Sequence, residues 1–519
     1  MLEVNKEKNP DYVLYNGNII SMDTYGEEYS AIEITDGKIS KVYSKEACFP
    51  KRAFATKVID LKGKTVLPGF IDNNIHMVQS GLLQYCVEIE ADTKESFLRQ
   101  LKEKTQQFRH GELVWCVGFD EKAIDVTRWD LDKVSSSHPI VVSKTEFHKT
   151  VVNTKAYNTL SIPMSVDGVQ RDEKGMPTGV LQGEASGFAR RKIYVNFVSD
   201  ELRKQAVRDV EIEALQYGIT TVNAMEGGAF FSNRDIDIVG DFAKDSIIDI
   251  LLFPQTLDTN HVMDMELPRI GGNIYLDGAI GSKAAALNQS YVGDQSKGSL
   301  YYSQDDVNYF VLEAHSAGLQ IALSCIGPRA IEQALLAFSS AFEAIGKKEH
   351  RHRIELFVLP TAEQIQKAVE LGLVLSMRPN YDYIWGGPQG MYMGNIGSLW
   401  KDCNPIGEVI KQGGIVCGGS EYSVTPLNPM TSIQSCVLHH QEDQRISAYE
   451  AIKTYTVNGA YANFAEDRIG KIKEGFQADL VVLEDNPLEV PAECVKDIGV
   501  EMTIKNGKVV YSKEAVIWK

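Results

Sequence analysis

The 519-residue chain has no long apolar run, and its longest mainly apolar stretches, such as residues 247–253, fall far short of the ~20 residues that a membrane-spanning helix needs. Acidic residues outnumber basic ones: the chain has 70 aspartates and glutamates and 53 lysines and arginines, which gives a formal net charge of −17. No basic run of five or more residues interrupts this acidity. Proteins that bind nucleic acids or anionic membranes present basic surfaces, so we expect neither as a partner.

Cysteine is scarce, with 8 residues in the whole chain and no pair at the spacing of a CxxC motif. The first residues, MLEVNKEK, lack the apolar core of a secretory signal peptide. Both features predict reduced thiols and a cytoplasmic location. Apolar residues make up 44% and charged residues 24% of the chain, which is typical of a globular protein whose core needs no disulfides or metals to fold.

The two ends of the chain have the pattern of β-structure. Residues 11–66 alternate short apolar runs with Asn-Gly and Asp-Gly turns, and residues 478–511 repeat this pattern. We interpret residues 1–67 and 465–519 as one composite β-sandwich built from both termini. Two independent hairpins are the alternative interpretation.

The long middle of the chain alternates short apolar strands with helical patterns. Residues 140–143 and 320–323 are examples of the strands, and residues 200–217 and 329–345 are examples of the helices. This alternation predicts a mainly parallel α/β sheet, either closed or doubly wound. Because the strands are almost continuously apolar, both of their faces should be buried, as in a barrel.

Several motifs carry a resemblance to a known family. They are VLPGFID at 66–72, GMPTGVL at 175–181, DGAIGSK at 277–283, IGPRA at 326–330, RHRIE at 351–355 and IGKIKEGFQADLVVL at 469–483. With these motifs the chain resembles the amidohydrolase superfamily, in the branch called amidohydrolase family 3, the relatives of N-substituted formamide deformylase. The resemblance implies a TIM-like (β/α)8 barrel over residues 68–464, with a large insertion, roughly within residues 85–200, that covers the barrel mouth.

The same resemblance implies a hydrolase that acts on non-peptide C–N bonds of a small molecule, with water activated on a divalent metal, by default zinc, manganese or iron. Six positions of this chain match the metal ligands of the family. They hold Asn74, His76, Asn273, Ser324, Leu356 and Glu421. Zinc prefers imidazole, thiolate and carboxylate donors, which only His76 and Glu421 supply. A calcium ion accepts neutral oxygens, but one carboxylate among them predicts weak binding. We therefore predict no tightly bound metal.

Except for Leu356, the residues at these positions are polar, and in a barrel of this kind they would meet at the carboxyl ends of the strands. We predict that His76 and Glu421 form a catalytic acid/base couple. The predicted substrate-binding residues are Asn74, His148, Asn273, Asp277, Ser324, Arg378 and Trp385. A hydrogen-bonded remnant that only satisfies buried polar groups is the alternative for the whole cluster.

Individual members of this set have alternatives of their own. His148 could instead fix a loop, and Asp277 could simply make a turn. Arg378 suits a clamp for a carboxylate or phosphate, or else a surface salt bridge. Trp385, with Tyr381, suits an aromatic wall of the site or a packed lid.

Three functions stay open from the sequence. The first is a C–N hydrolase descended from metal-dependent enzymes. The second is a metal-free enzyme that uses Glu421 and His76 for elimination, isomerisation or ring opening. The third is a non-catalytic small-molecule-binding or scaffolding protein, similar to the metal-less dihydropyrimidinase-related relatives of the superfamily. The expected partner is a small molecule, and a homodimer is left open.

Overall fold

A computed structural model of the chain describes residues 10–45, 57–118, 125–144, 149–228 and 231–514. Two compact units make up the described chain. The first contains the described residues up to 76, with 210–225 and those from 243 onward, and the second contains the described residues of 77–209 and 226–242.

Strands and helices are numbered in chain order. The strands are β1 Tyr12–Ile20, β2 Glu28–Thr35, β3 Lys38–Ser44, β4 Lys57–Asp60, β5 Thr65–Pro68, β6 Phe70–Ile75, β7 Val114–Val117, β8 Ile140–Ser143, β9 Lys149–Val152, β10 Val169–Arg171, β11 Pro177–Gln182, β12 Ile219–Glu226, β13 Asp249–Pro254, β14 Arg269–Tyr275, β15 Gln320–Cys325, β16 Arg353–Leu356, β17 Val374–Met377, β18 Ile415–Gly418, β19 Leu480–Leu483, β20 Val500–Lys505 and β21 Lys508–Ser512.

The α-helices are α1 Met77–Leu83, α2 Lys94–Thr105, α3 Arg128–Val134, α4 Thr154–Thr159, α5 Gly183–Asn196, α6 Asp200–Gln216, α7 Arg234–Phe242, α8 Thr259–Asp264, α9 Gln304–Ser316, α10 Pro328–Ile345, α11 Ala362–Leu371, α12 Pro379–Trp385, α13 Met391–Ile396, α14 Ile406–Lys411, α15 Pro429–Val437, α16 Ala448–Thr454 and α17 Val457–Ala462. Short 3₁₀ segments span Gly397–Asp402, Glu442–Gln444 and Ala492–Asp497. None of the helices in the described ranges combines the length and apolarity that crossing a bilayer requires.

Strands from both ends of the chain share one eight-stranded sheet in the first unit. Its order is β21-β20-β19-β5-β1-β2-β3, with β4 paired to β1. The two ends meet where β19 runs antiparallel to β5, with Val482 opposite Val66. Leu14, Ile32 and Ile504 pack with these two residues in one buried apolar cluster. The two termini therefore build a common sheet and core.

The rest of the first unit contains parallel strands separated by helices. Strands β6, β12 and β13 form a three-stranded sheet, and β14 to β18 form a five-stranded sheet in sequence order. Every residue of β6, β12, β15, β16 and β17 is buried. Strands buried on both faces are characteristic of parallel sheets that are covered by helices. Polar side chains on these strands must therefore find partners inside the protein.

The second unit has its own sheet and core. Its five strands have the order β10-β11-β9-β8-β7. Phe97, Leu101, Val114, Ile140 and Val151 are among the apolar side chains that pack in its core. This unit contains most of the predicted insertion. That the insertion covers the barrel mouth stays a prediction.

Three buried histidines, His315, His350 and His352, lie together beside the start of β16, and the rings of His350 and His352 are stacked. His352 Nδ1 accepts a hydrogen bond from the backbone N–H of Ile321 at 3.1 Å, so the ring proton is on Nε2, which lies 2.8 Å from His315 Nδ1. His350 Nδ1 accepts from the backbone N–H of His352 at 2.9 Å, and its Nε2 donates to a backbone carbonyl at 3.1 Å. These bonds suit neutral rings at His350 and His352.

This cluster predicts a loss of stability in acid. Burial lowers the pKa of His350 to about 4 and holds the pKa of His352 well below its usual value. Below about pH 6.5 the unfolded chain therefore binds protons that the folded chain does not, and stability falls as the pH drops toward 4, by up to about 3 kcal/mol for His350 and by a further amount for His352. Calorimetric unfolding temperatures at pH 7.5 and 4.5 measure this loss.

The matched variants are His350→Gln with His352→Gln, which keep a donor and an acceptor but do not titrate. The double variant is expected to lose less unfolding temperature between the two pH values than the wild type. His261→Gln, at an exposed position of α8, should keep the wild-type pH dependence. Equal pH dependence in the wild type and the double variant would contradict the assignment.

Candidate active site

The structure brings four of the predicted residues together at the carboxyl ends of β6, β14 and β18. Asn273 Nδ2 lies 3.4 Å from His76 Nε2 and 3.3 Å from Glu421 Oε1. The backbone N–H of Glu421 donates to the carbonyl of Asn74 at 2.8 Å. All four residues are buried. The Asn273 amide thus bridges the imidazole and the carboxyl group that were predicted as a couple.

The orientation of His76 is fixed by the main chain. Its Nδ1 lies 2.6 Å from the carbonyl oxygen of Met225, so Nδ1 carries the proton and Nε2 keeps its lone pair. Burial lowers the pKa of His76, although Glu421 acts in the opposite direction. The site therefore presents a neutral imidazole whose Nε2 can accept a hydrogen bond from Asn273 or a proton.

A fully buried ionic network lies beside this couple. Glu355 on β16 faces two guanidinium groups, with Arg353 Nε at 2.7 Å and Arg378 Nη2 at 2.8 Å. Glu355 Oε2 also accepts a hydrogen bond from Asn74 Nδ2 at 2.8 Å. Burial alone would raise the pKa of Glu355, but the two arginines lower it below its usual value. Arg378 Nε lies 3.8 Å from Glu421 Oε2, which links the network to the predicted couple.

Arg378 is occupied by partners within the protein. Besides Glu355, its guanidinium donates to the carbonyls of Ser376 and Met377, both at 3.0 Å. Burial would lower the pKa of Arg378, but the carboxyl groups of Glu355 and Glu421 more than offset this and raise it. These contacts form a buried salt bridge, whereas the alternative to an anion clamp was a salt bridge at the surface.

Helix α12 contributes an aromatic side chain, that of Tyr381, to the site. Its hydroxyl donates a hydrogen bond to Glu421 Oε2. Burial, and then the neighbouring Glu421, hold the pKa of Tyr381 well above its usual value, so the phenol keeps its proton. The ring of Trp385 lies 4.5 Å from that of Tyr381, centroid to centroid. Trp385 therefore packs against a residue that touches Glu421.

One other predicted residue, Asp277, has its hydrogen-bond partners outside this cluster. The carboxylate of Asp277 accepts hydrogen bonds from the backbone N–H groups of Ala286, Ile326 and Gly327 at 2.8, 2.9 and 2.8 Å. Asp277 thus ties the loop after β14 to the end of β15. His148 lies outside the described residues.

The backbone of the site is strained at two of these residues. Glu421 has a φ of 51° and Asn273 a φ of 64°, both in the left-handed region. Asparagine tolerates this region, whereas it is unfavourable for glutamate, and such strain is concentrated at functional sites. Gly419 permits the approach of β18 to β6, because a Cβ there would lie 2.8 Å from the backbone nitrogen of Asn74.

Sequence reasoning missed Arg353 and Glu355 as parts of the site. A signal was available, since RIE places two charges at i and i+2 on a short strand that is otherwise apolar. Residues two apart on a strand point to the same face, so both charges must be buried or both exposed. In a strand buried on both sides, two such charges imply a paired network.

A sequence profile described as "Amidohydrolase family" matches residues 57–511. The chain belongs to the amidohydrolase family. This confirms the resemblance that the motifs indicated. Among curated proteins, the chain is 26% identical over 540 residues to "Putative amidohydrolase YtcJ" of Bacillus subtilis (strain 168), covering 96% of this chain and 99% of that one.

A second relative in the amidohydrolase family is N-substituted formamide deformylase of Arthrobacter pascens, which is 23% identical and matches 97% of this chain and 98% of its own. Among solved structures, an uncharacterized metal-dependent hydrolase from Pyrococcus furiosus superposes with a TM-score of 0.76 at 21% identity, over 92% of this chain and all of that one. Zinc-complexed atrazine chlorohydrolase TrzN from Arthrobacter aurescens TC1 gives 0.57 at 14% identity, over 98% of this chain and 97% of that one. These structural similarities indicate an α/β, TIM-like fold.

The residues at the site do not fit the divalent metal that is the default in this family. Within the described ranges, no group of three histidine, cysteine, aspartate or glutamate side chains is placed to hold a metal ion. At the positions matched to metal ligands, Asn74 and Asn273 use their amide nitrogens on neighbouring residues. The positive charge nearest to Glu421 in this network is the guanidinium of Arg378.

Proposed function

We propose that this chain is a hydrolase of amide-type C–N bonds in a small molecule, and that it works with the His76–Glu421 couple rather than with a resident divalent metal. In this proposal the parallel strands close into one barrel, and the site lies at their carboxyl ends. Family membership supports hydrolysis, and a relative named as a formamide deformylase supports the C–N bond. The observation that carries the proposal is the neutral His76 ring, held by Met225 with its Nε2 toward Asn273.

His76 can carry out both proton transfers that the reaction requires. Its Nε2 accepts a proton from the attacking water as the oxygen bonds to the carbonyl carbon. When the C–N bond breaks, the imidazolium returns that proton to the leaving nitrogen, and the neutral ring is restored. Glu421, held by Tyr381 and Asn273, lies where its carboxyl group can balance the transient positive charge.

The test is whether hydrolysis survives removal of divalent ions. We expect protein dialysed against EDTA, and shown by elemental analysis to hold less than a tenth of an equivalent of zinc, manganese or iron, to hydrolyse N-monosubstituted formamides at the same kcat as untreated protein. Product amine is measured by chromatography. Substrates for the screen include formamides, carboxamides, ureas and cyclic imides.

Two outcomes would overturn this proposal. Hydrolysis that disappears on dialysis and returns with one equivalent of zinc would show that a metal performs the chemistry. A purified, folded protein that releases no amine from any compound of the screen would remove the hydrolytic function itself.

A further inference from the structure

Apart from atoms of the ion-paired Arg353, Glu355 and Arg378, three polar side-chain atoms at the site have no hydrogen-bond partner among the described residues. They are Asn74 Oδ1, Asn273 Oδ1 and Ser324 Oγ. The three residues are at most 1% exposed, so water on the outer surface cannot solvate them. Buried polar atoms are almost always paired, and each exception requires an explanation. Three exceptions in one cluster suggest that a ligand supplies the missing partners.

The chemistry of the two amide groups is set by their neighbours. Asn74 must direct its nitrogen at the Glu355 carboxylate, which can only accept. Asn273 must direct its nitrogen at Glu421 and at the unprotonated Nε2 of His76. Both unpaired atoms are therefore carbonyl oxygens, which accept hydrogen bonds and cannot donate them.

Strand register places Ser324 with this cluster. In the parallel pair of β15 and β16, Ser324 is opposite Glu355, and side chains at matched positions of parallel strands point to the same face. Glu355 accepts a hydrogen bond from the side-chain nitrogen of Asn74. The main-chain carbonyl of Asn74 accepts one from the backbone N–H of Glu421. Asn273 contacts Glu421 in turn. All three unpaired atoms thus belong to one connected group of residues.

The charges at the site disfavour an anionic ligand. Two guanidinium groups, of Arg353 and Arg378, face two carboxyl groups, of Glu355 and Glu421. No cationic group of this network is left over to neutralise an anion. Two hydrogen-bond acceptors and a hydroxyl, by contrast, match a neutral group that carries N–H donors.

We propose that Asn74 Oδ1, Asn273 Oδ1 and Ser324 Oγ form a subsite for the N–H donors of a neutral amide-type ligand, such as an N-monosubstituted formamide, a primary amide or a urea. This inference rests on the proposed function and specifies its substrate class. N-methylation removes the donor and leaves an oxygen of the subsite buried and unpaired. We expect each N–H lost in this way to weaken binding about ten- to a hundredfold.

Titration calorimetry on the full-length protein tests the subsite without relying on turnover. The probes are N-hexylformamide against N-hexyl-N-methylformamide, and hexylurea against its fully N-methylated analogue, with hexanoate as the anionic probe. To avoid hydrolysis during titration, the formamide pair is also measured in the His76→Asn background. The expected result is at least tenfold tighter binding of each N–H compound than of its methylated analogue, and weaker binding of hexanoate than of either N–H compound.

Single-residue variants test which residues cause the preference for N–H compounds. Ser324→Ala and Asn273→Leu are each expected to reduce the ratio between N–H and N-methyl compounds by about tenfold. Ser339→Ala is the control, because Ser339 Oγ on α10 is also buried without a partner but lies on a helix rather than at these strand ends. The control should keep the wild-type ratio. If Asn273→Leu does not fold, Ser324→Ala decides the matter.

The two proposals fail in different ways. Equal affinity for N–H and N-methyl compounds, or tighter binding of hexanoate, overturns the subsite even when formamides are hydrolysed. A preference for N–H compounds that is lost in Ser324→Ala supports the subsite even when nothing is hydrolysed.

Discussion

Replacement of His76 by asparagine is expected to lower kcat for C–N hydrolysis by about 10²–10⁴-fold, the usual contribution of a positioned general base. Asparagine can keep the N–H donor that contacts the Met225 carbonyl, but it has no basic nitrogen where Nε2 now lies. The substitution therefore removes the base and leaves the local packing almost unchanged. KM should change far less than kcat, because the lost interaction belongs to the transition state.

The measurement is a steady-state comparison of wild type, His76→Asn and His261→Asn. His261 lies at an exposed position of α8 and serves as the control for a histidine outside the site. The unfolding temperature of His76→Asn should stay close to that of the wild type. A kcat within threefold of wild type would exclude His76 as the base.

Glu421→Gln tests whether Glu421 acts through His76. If Glu421 acts by balancing the charge on His76, the double variant His76→Asn with Glu421→Gln should be little slower than His76→Asn alone. Residues that act as a unit are non-additive in this way. Additive losses would instead mean that Glu421 has a separate role.

Much of the fold could be predicted because local signals agreed with the tertiary structure. Glycine turns between apolar runs marked the β-structure at both ends, and short, mainly apolar strands marked the parallel sheets, which are buried on both faces. The second unit is assembled from 77–209 and 226–242, two stretches that are separate in sequence. No local pattern shows that residues 226–242 pack with that unit, since this follows from long-range contacts.

The sequence predicted which residues lie at the strand ends of the site. It did not predict which side chains pair with one another there. Motif positions were enough to gather His76, Asn273 and Glu421. The partner of Arg378 was not predictable, because a guanidinium on a strand end suits a bound anion and an internal carboxylate equally well. Its occupation by Glu355 follows from the register of β16 and β17, which places these strands side by side.

Replacement of Glu355 by glutamine is expected to destabilise the protein by about 3–5 kcal/mol, the typical cost of removing one partner from a buried ion pair. Glutamine has the same shape as glutamate, so packing is preserved and the effect isolates the charge. Its amide nitrogen would face a guanidinium donor, and both Arg353 and Arg378 would lose the carboxylate that neutralises them. The unfolding temperature should fall by roughly 4–6 °C if the first unit unfolds cooperatively, because the unfolding entropy grows with the size of the unit.

The double variant Glu355→Gln with Arg378→Met shows whether this cost comes from unpaired charge. Removing one guanidinium relieves part of the imbalance, so the double variant should unfold at a higher temperature than the sum of the two single losses predicts. Glu363→Gln, at an exposed position early in α11, is the control and should unfold at the wild-type temperature. Calorimetry on the four variants and the wild type gives the coupling. A Glu355→Gln variant as stable as the wild type would mean that the two arginines are neutralised by groups other than Glu355, and that the network does not depend on this carboxylate.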